Sequence, residues 1–205
     1  MLVFVIDGNI CHFLYNMDED ELTNFKKSPF GENKQWQFNA CVGPNGGPYD
    51  YMDYARGYFH AGHLISEGLI KNDGVGVDTL IYPLLYLYRH ALELSLKDFL
   101  KNSKEPVIHV HKLDVLWDRI EKRLYSLVSS KEKKETLDIL KGIVASFCFI
   151  DPNGETPRFP EDKEGNLFLQ DMRIINIIPI YEKMKEAEKI VEYFSNFGRD
   201  EYYNL

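Results

Sequence analysis

The stretch that decides the fold begins at Leu80 and ends at Leu100, and it reads Leu-Ile-Tyr-Pro-Leu-Leu-Tyr-Leu-Tyr-Arg-His-Ala-Leu-Glu-Leu-Ser-Leu-Lys-Asp-Phe-Leu. As a helix it carries apolar residues on nearly every side, which is typical of the central helix of a bundle. Pro83 suits the first turn of a helix, and Asp78 or Thr79 can serve as its cap. We therefore predict a central helix over about residues 78–102.

Four further helices are predicted around this stretch, because apolar residues recur there every three to four positions. The first covers about residues 50–71. Its predicted apolar stripe consists of Tyr54, Tyr58, Ala61 and Ile65. The others begin near residues 111, 131 and 179. Short loops between such helices predict a mostly α fold, an antiparallel up-down bundle of four to five helices. A hairpin-like insertion is predicted around Gly165, before the last helix.

The N-terminal part of the chain lacks this helical regularity. We predict one or two short strands there, at residues 2–6 and 35–42. The loop Gly43-Pro-Asn-Gly-Gly-Pro48 follows, and its glycines and prolines permit or impose turns. The sequence thus predicts an irregular N-terminal segment, residues 1–47, and a helical bundle domain, residues 48–205.

Composition limits the classes of partner. The chain has 205 residues, with 24 Lys and Arg against 32 Asp and Glu, and a net charge of −8. This acidic balance argues against nonspecific binding of nucleic acid, so we expect any RNA target to be a narrow set of molecules. Cys11, Cys41 and Cys148 are odd in number and far apart, which favours reduced thiols in the cytoplasm. The apolar start is short and Asp7 interrupts it, so we expect neither a signal peptide nor a membrane span.

Charged residues interrupt the apolar surface of the central helix. Arg89 and Glu93 are four residues apart, as are Glu93 and Lys97, so each pair can touch. Three interpretations are open: a solvated ladder of ion pairs, a buried network that fixes the helix register, and a ligand-binding or catalytic cluster.

A second polar stripe lies on the first predicted helix. It consists of Arg56, His60, His63 and Glu67. The simplest interpretation is that this stripe is the solvent-exposed outer face of the helix. The alternative is a groove or dimer seam, in which Arg56 and His63 could take part in proton transfer near neutral pH.

Two histidines precede the third predicted helix. His109 and His111 could join His60 and His63 in a metal site, but no recognised ligand spacing surrounds them. We therefore predict no metal and no cofactor. His111 is expected to cap or pack at the start of its helix, and it remains a candidate ligand-binding residue.

Three segments, quoted in order, carry a resemblance to a known group. They are Tyr86-Leu-Tyr-Arg-His-Ala-Leu-Glu-Leu-Ser-Leu-Lys97, His111-Lys-Leu-Asp-Val-Leu-Trp117 and Arg158-Phe-Pro-Glu-Asp162. Together with Tyr54-Ala-Arg-Gly-Tyr58 after the glycine loop, they resemble a group of uncharacterised bacterial proteins with a HEPN-like helical bundle. The resemblance covers residues 40–197.

The HEPN resemblance implies a four- or five-helix up-down bundle, often dimeric, from toxin–antitoxin and phage-defence systems. Active members are metal-independent RNases that use an arginine followed, after four to six residues, by a histidine. This chain departs from that pattern, because Arg89 and His90 are adjacent. Arg56 and His63 have six residues between them, but on an early helix.

The candidate site residues follow from the clusters and the resemblance together. The catalytic candidates are Arg89 with His90, Glu93 as an orienting group, and then Arg56 with His63. The ligand-binding candidates are Lys97, Tyr86 and His111.

Two functions are expected from these residues. The first is RNA or nucleotide binding by a HEPN-like protein of bacterial conflict systems, with metal-independent RNA cleavage as its enzymatic form. The second is a non-enzymatic module that binds a partner protein or its own copy and whose Arg/Glu cluster is structural. The expected partners are therefore a second copy in a homodimer, RNA or nucleotide, or a cognate protein, and not a membrane.

Overall fold

A computed structural model describes residues 31, 34–43, 46, 50–103, 106 and 109–203, and the side chains among them up to residue 195. The chain divides into two compact units, Met1–Gly47 and Pro48–Leu205. In the described part of the first unit, Trp36–Phe38 forms one turn of 3-10 helix and there is no strand. The strand predicted at 35–42 is therefore wrong, since no neighbouring strand is described that could pair with it. The strand predicted at 2–6 lies outside the described residues.

The second unit is built from five α-helices. They are α1 (Tyr51–Lys71), α2 (Val77–Asn102), α3 (Leu113–Ser126), α4 (Lys131–Ile150) and α5 (Ile177–Tyr203). The predicted mostly α fold, a helical bundle, is confirmed. None of the described helices combines the length and apolar character needed to cross a membrane.

Local capping explains where these helices begin. The Asp50 side chain accepts a hydrogen bond from the Asp53 amide at 2.7 Å, and Ser130 accepts one from Lys133 at 3.3 Å. The cap predicted for α2 at Asp78 or Thr79 is wrong, because the N-cap is Gly76 at φ 88. The tight turn before α2 uses left-handed residues, so the helix begins as soon as the turn ends.

The insertion before α5 contains the predicted hairpin-like turn. An antiparallel bridge joins Glu161 and Leu167. Between them, the Asp162 carboxylate accepts hydrogen bonds from the amides of Glu164 and Asn166 at 2.9 and 2.8 Å. Gly165 adopts φ +83, which closes the turn without strain.

Helix α2 lies at the centre of the bundle and contacts α1, α3 and α5. The buried face of α1 is made of Met52, Ala55, Phe59, Gly62, Ser66 and Leu69. The predicted stripe is therefore wrong in part: Tyr58 and Ile65 pack against the core at its edge, whereas Tyr54 is half exposed. The buried face includes Gly62, which periodicity of large apolar residues does not mark and which lies against the Tyr88 ring of α2.

Pairs of contacts give the helix directions. Three pairs of helices are antiparallel: α1 and α2, α1 and α5, and α3 and α4. In each pair, the contacting residues have rising numbers on one helix and falling numbers on the other. The contacts are Tyr58–His90 and His63–Tyr88, then Arg56–Glu192 and Glu67–Tyr181, then Glu121–Lys141 and Tyr125–Asp138.

Candidate functional site

Arg89 lies in the interior, at the middle of α2, with only 4% of its side chain exposed. Its Nη1 donates to Glu93 Oε2 at 3.2 Å, and its Nη2 donates to the His111 carbonyl at 2.7 Å. Its Nε lies 2.7 Å from Asp151 Oδ2 and donates an aligned hydrogen bond to the Asp151 carbonyl at 3.3 Å. All three guanidinium nitrogens are therefore engaged, and Arg89 ties α2 to the end of α4 and to the segment before α3.

The turn after α4 encloses the Arg89 guanidinium. Asp151 Oδ1 accepts hydrogen bonds from the amides of Glu155 and Thr156 at 2.8 and 3.0 Å. Gly154 adopts φ +81, and a Cβ atom there would lie 3.1 Å from Arg89 Nη1. Both the left-handed backbone conformation and the close approach to Arg89 favour glycine at this position.

Glu93 is the second centre of the cluster, and its side chain is only 3% exposed. Lys97 Nζ donates to its Oε1 at 2.8 Å, and His111 Nδ1 lies 2.8 Å from the same oxygen. Burial by itself raises the pKa of Glu93, but the donors on His90, Lys97 and His111 outweigh it and lower the pKa to about 2. Glu93 is therefore a carboxylate at any physiological pH.

The cluster of Arg89, Glu93, Lys97 and Asp151 is balanced in charge, with two cations and two anions. All four residues are buried, so the solvated-ladder interpretation is wrong. Paired charges are tolerated in an interior only when their hydrogen bonds are made, and here most of them are. The geometry is that of a buried network joining separate segments.

The cluster reaches the surface through two histidines. His90 Nδ1 lies 3.8 Å from Glu93 Oε2, and its side chain is 25% exposed, whereas that of His111 is 68% exposed. The His90 ring stacks on Tyr86, with centroids 5.6 Å apart, and meets the edge of Tyr58 at 4.6 Å. One buried carboxylate thus contacts two imidazoles that are open to solvent.

The second candidate group lies between α1 and α5. His63 Nε2 lies 2.9 Å from Glu188 Oε2, and His63 Nδ1 lies 3.0 Å from the Tyr88 hydroxyl. Arg56 Nε donates to Glu192 at 3.2 Å. The predicted solvent-exposed outer face therefore holds for His60 and Glu67, which are exposed, and in part for Arg56, whose side chain is 37% exposed. It is wrong for His63, whose side chain is only 12% exposed. Arg56 and His63 bind different glutamates of α5.

The Tyr88 hydroxyl on α2 contacts two side chains of α1. This fully buried side chain contacts both His63 and Ser66 Oγ, the latter at 3.1 Å. Burial raises the pKa of Tyr88 well above its ordinary value of 10. Tyr88 is therefore a neutral structural hydroxyl that links α2 to α1, and through His63 to α5.

The histidines considered for a metal site make separate contacts. His63 binds Glu188, His111 binds Glu93, and His109 is exposed. Within the part of the chain that the structure describes, no three His, Cys, Asp or Glu side chains are arranged to hold a metal ion.

With the geometry in place, the chain can be compared with known proteins. No protein-family model, curated protein or solved structure matches it. The HEPN-like resemblance therefore stays a prediction.

Sequence reasoning missed three residues of these clusters. Asp151 and Gly154 belong to the sequence Asp-Pro-Asn-Gly, which predicts the end of a helix and a turn but not the side chain that the turn encloses. Glu188 gave no signal, because nothing in the sequence indicates which helix α1 faces. Their roles depend on contacts between residues that are distant in the chain.

Proposed function

We propose that the protein is a cytoplasmic, HEPN-like helical bundle of a bacterial conflict system that works by binding another protein chain. In this proposal the Arg89–Glu93 cluster is structural. The observation that carries the proposal is the burial of the Arg89 guanidinium, each of whose three nitrogens already donates a hydrogen bond within the bundle. An arginine that stabilises a phosphate in a reaction must reach that phosphate, and the Arg89 side chain is only 4% exposed.

The acidic character of the chain supports protein binding over general RNA binding. A net charge of −8 repels a polyanion unless a local basic patch overcomes the field. Both cysteines among the described residues are free thiols, which supports a reducing compartment.

The structural role of Arg89 predicts a loss of stability on substitution. Arg89→Met leaves Glu93 and Asp151 buried without their main partner, which costs about 3–5 kcal/mol. We expect Tm to fall by roughly 6–20 °C for a chain of this size. The control is Arg56→Met, whose ion pairs are about one-third exposed. We expect less than about 1 kcal/mol from that change.

Thermal melts by circular dichroism measure both variants, and a metal-free cleavage assay on total RNA accompanies them. The proposal expects no cleavage by the wild type. It fails if the wild type cleaves RNA and Arg89→Met abolishes cleavage while Tm is unchanged.

A second candidate function is metal-independent RNA cleavage, and one observation favours it. Glu93 contacts Nδ1 of both His90 and His111, so the Nε2 atom of each ring is directed away from the carboxylate. One imidazole would take the proton of a ribose 2′-hydroxyl, which attacks the phosphate. The other would give a proton to the departing 5′-oxygen. Glu93 would be a positioning residue and Arg89 would touch nothing that reacts.

This candidate predicts that His111→Ala abolishes RNA cleavage without unfolding the bundle, because the His111 side chain is largely exposed. His60→Ala is the matched control, since His60 is an exposed histidine on α1, a different helix from that of Glu93. The assay uses total RNA with a chelator, at several pH values between 5 and 8. Equal activity of the two variants, or no activity in the wild type, would rule this candidate out.

A further inference from the structure

An apolar groove of about 410 Å³ lies between α4 and the first turns of α5. Its apolar lining includes Leu85, Ile143, Phe147, Ile180 and Met184, of which Leu85 belongs to α2. A cavity of this volume is within the range of sites that hold small molecules. The residues that hold Arg89 do not line the groove, so a role for it goes beyond the proposed function.

The groove is long and narrow. The α4 residues that line it run from Asp138 to Ile150, on four successive turns of the helix. That stretch of helix is about 18 Å long, so a volume of 410 Å³ leaves a cross-section of about 23 Å². An α-helix with its side chains is about 10 Å wide and cannot enter such a groove. A single extended hydrocarbon chain has a cross-section close to that of the groove.

Two small residues of α4 keep the groove open. A Cβ atom on Gly142 would have nothing within 4 Å, and glycine is a poor helix former, so none of the described neighbours requires glycine there. The Ser146 hydroxyl donates to the Gly142 carbonyl at 2.8 Å and is therefore turned towards its own helix. The space beside Gly142 and Ser146 is available to a molecule from outside the chain.

The polar side chains that line the groove already have partners within the chain. Asp138 accepts a hydrogen bond from the Tyr125 hydroxyl, and Lys183 Nζ donates to Glu186 at 2.7 Å. A charged ligand would have to break one of these contacts or leave its charge without a partner. A neutral chain needs no such contact, because it gains by leaving water.

We propose that the α4–α5 groove binds the hydrocarbon chain of a neutral, single-chain molecule, such as a long-chain alcohol, whose polar head stays in solvent. The length and width of the groove select a linear chain. The paired charges at its sides select against an ionised ligand. The apolar walls supply the affinity, in proportion to the length of chain that they cover.

Isothermal titration calorimetry of the full chain with hexanol, octanol and decanol tests the proposal. We expect the affinity to rise about fourfold for each added methylene group, because each one is removed from water. Decanoate should bind more weakly than decanol, since the Lys183 cation is already paired with Glu186.

Gly142→Leu places a side chain in the groove, and we expect it to weaken decanol binding at least tenfold. Gly57→Leu is the matched control, because nothing lies within 4 Å of a Cβ atom there either, and Gly57 is on α1. This control should bind decanol as the wild type does. Ser146→Leu is a second variant that narrows the groove, and circular dichroism melts check that each variant is folded.

A wild type that binds no decanol overturns the proposal, and so does equal affinity for hexanol and decanol. A Gly142→Leu variant that binds decanol as tightly as Gly57→Leu would place the alcohol elsewhere on the protein. Tighter binding of decanoate than of decanol would contradict a site for neutral chains. None of these results affects the melts or the cleavage assay of Arg89→Met, so the two proposals can fail separately.

Discussion

At the scale of single residues, the geometry at Arg89 depends on one glycine. Gly154 lets the turn after α4 reach over the guanidinium, and this position combines φ +81 with the 3.1 Å approach to Arg89 Nη1. Gly165, in the hairpin-like turn, shares the left-handed conformation at φ +83 but has nothing within 4 Å of a Cβ atom. Substitutions at the two glycines therefore distinguish the cost of the backbone conformation from the cost of steric contact with Arg89.

We predict that Gly154→Ala destabilises the protein more than Gly165→Ala does. Both changes carry a backbone cost of about 1 kcal/mol. Only Gly154→Ala also presses on Arg89, which cannot move without breaking its contacts with Glu93 and Asp151. Urea unfolding measures both free energies. Equal losses would show that the turn does not enclose Arg89.

At the scale of elements, the contact between α1 and α2 is set by a small residue meeting a large one. A Cβ atom on Gly62 would lie 2.4 Å from the Tyr88 ring, which is itself fully buried. The Tyr88 hydroxyl is further held by His63 and Ser66. The ring therefore has little freedom to yield, and the spacing of the two helices depends on the missing side chain.

Gly62→Ala should accordingly destabilise the bundle by about 1–3 kcal/mol through overpacking. Gly57→Ala is the matched control on the same helix, because nothing lies within 4 Å of a Cβ atom there. We expect that control to be neutral or to stabilise by up to about 1 kcal/mol, since alanine is the better helix former. Thermal melts measure both, and a Gly62→Ala variant as stable as Gly57→Ala would contradict the close packing.

At the scale of the whole molecule, the Glu93 cluster joins parts of the chain that are far apart in sequence. Through Arg89 and His111, Glu93 connects α2 with the start of α3 and the end of α4. Because the folded pKa of Glu93 is about 2, below its ordinary value of 4.5, its ionisation favours the folded state. That contribution is complete above about pH 5 and is lost as pH falls towards 2.

We therefore predict that the wild type loses more stability between pH 5 and pH 2.5 than Glu93→Gln does. The difference should be up to about 3 kcal/mol, from a shift of roughly two pKa units. Urea unfolding at several pH values measures it. Parallel pH profiles for the two proteins would mean that Glu93 is not the group whose protonation weakens the fold.

The sequence by itself determined the helices, because helix formation depends on local periodicity, caps and turn residues. The apolar repeat around Leu92 marked α2 as the central helix, and Ser130 and Asp50 marked helix starts that the structure retains. The sequence also marked the pairing of Arg89, Glu93 and Lys97, since residues four apart on a helix are neighbours.

Only the tertiary structure decided which of these polar groups are buried and what they bind. Asp151 contacts Arg89, which lies 62 positions earlier in the sequence, and Glu188 contacts His63, which lies 125 positions earlier. The face of α1 that packs on α2 was also decided there, because Gly62 is buried by its fit to Tyr88 and not by its own hydrophobicity. The periodicity of a sequence shows how apolar each face of a helix is. Which face is buried in a bundle also depends on whether that face fits the shape of the neighbouring helix.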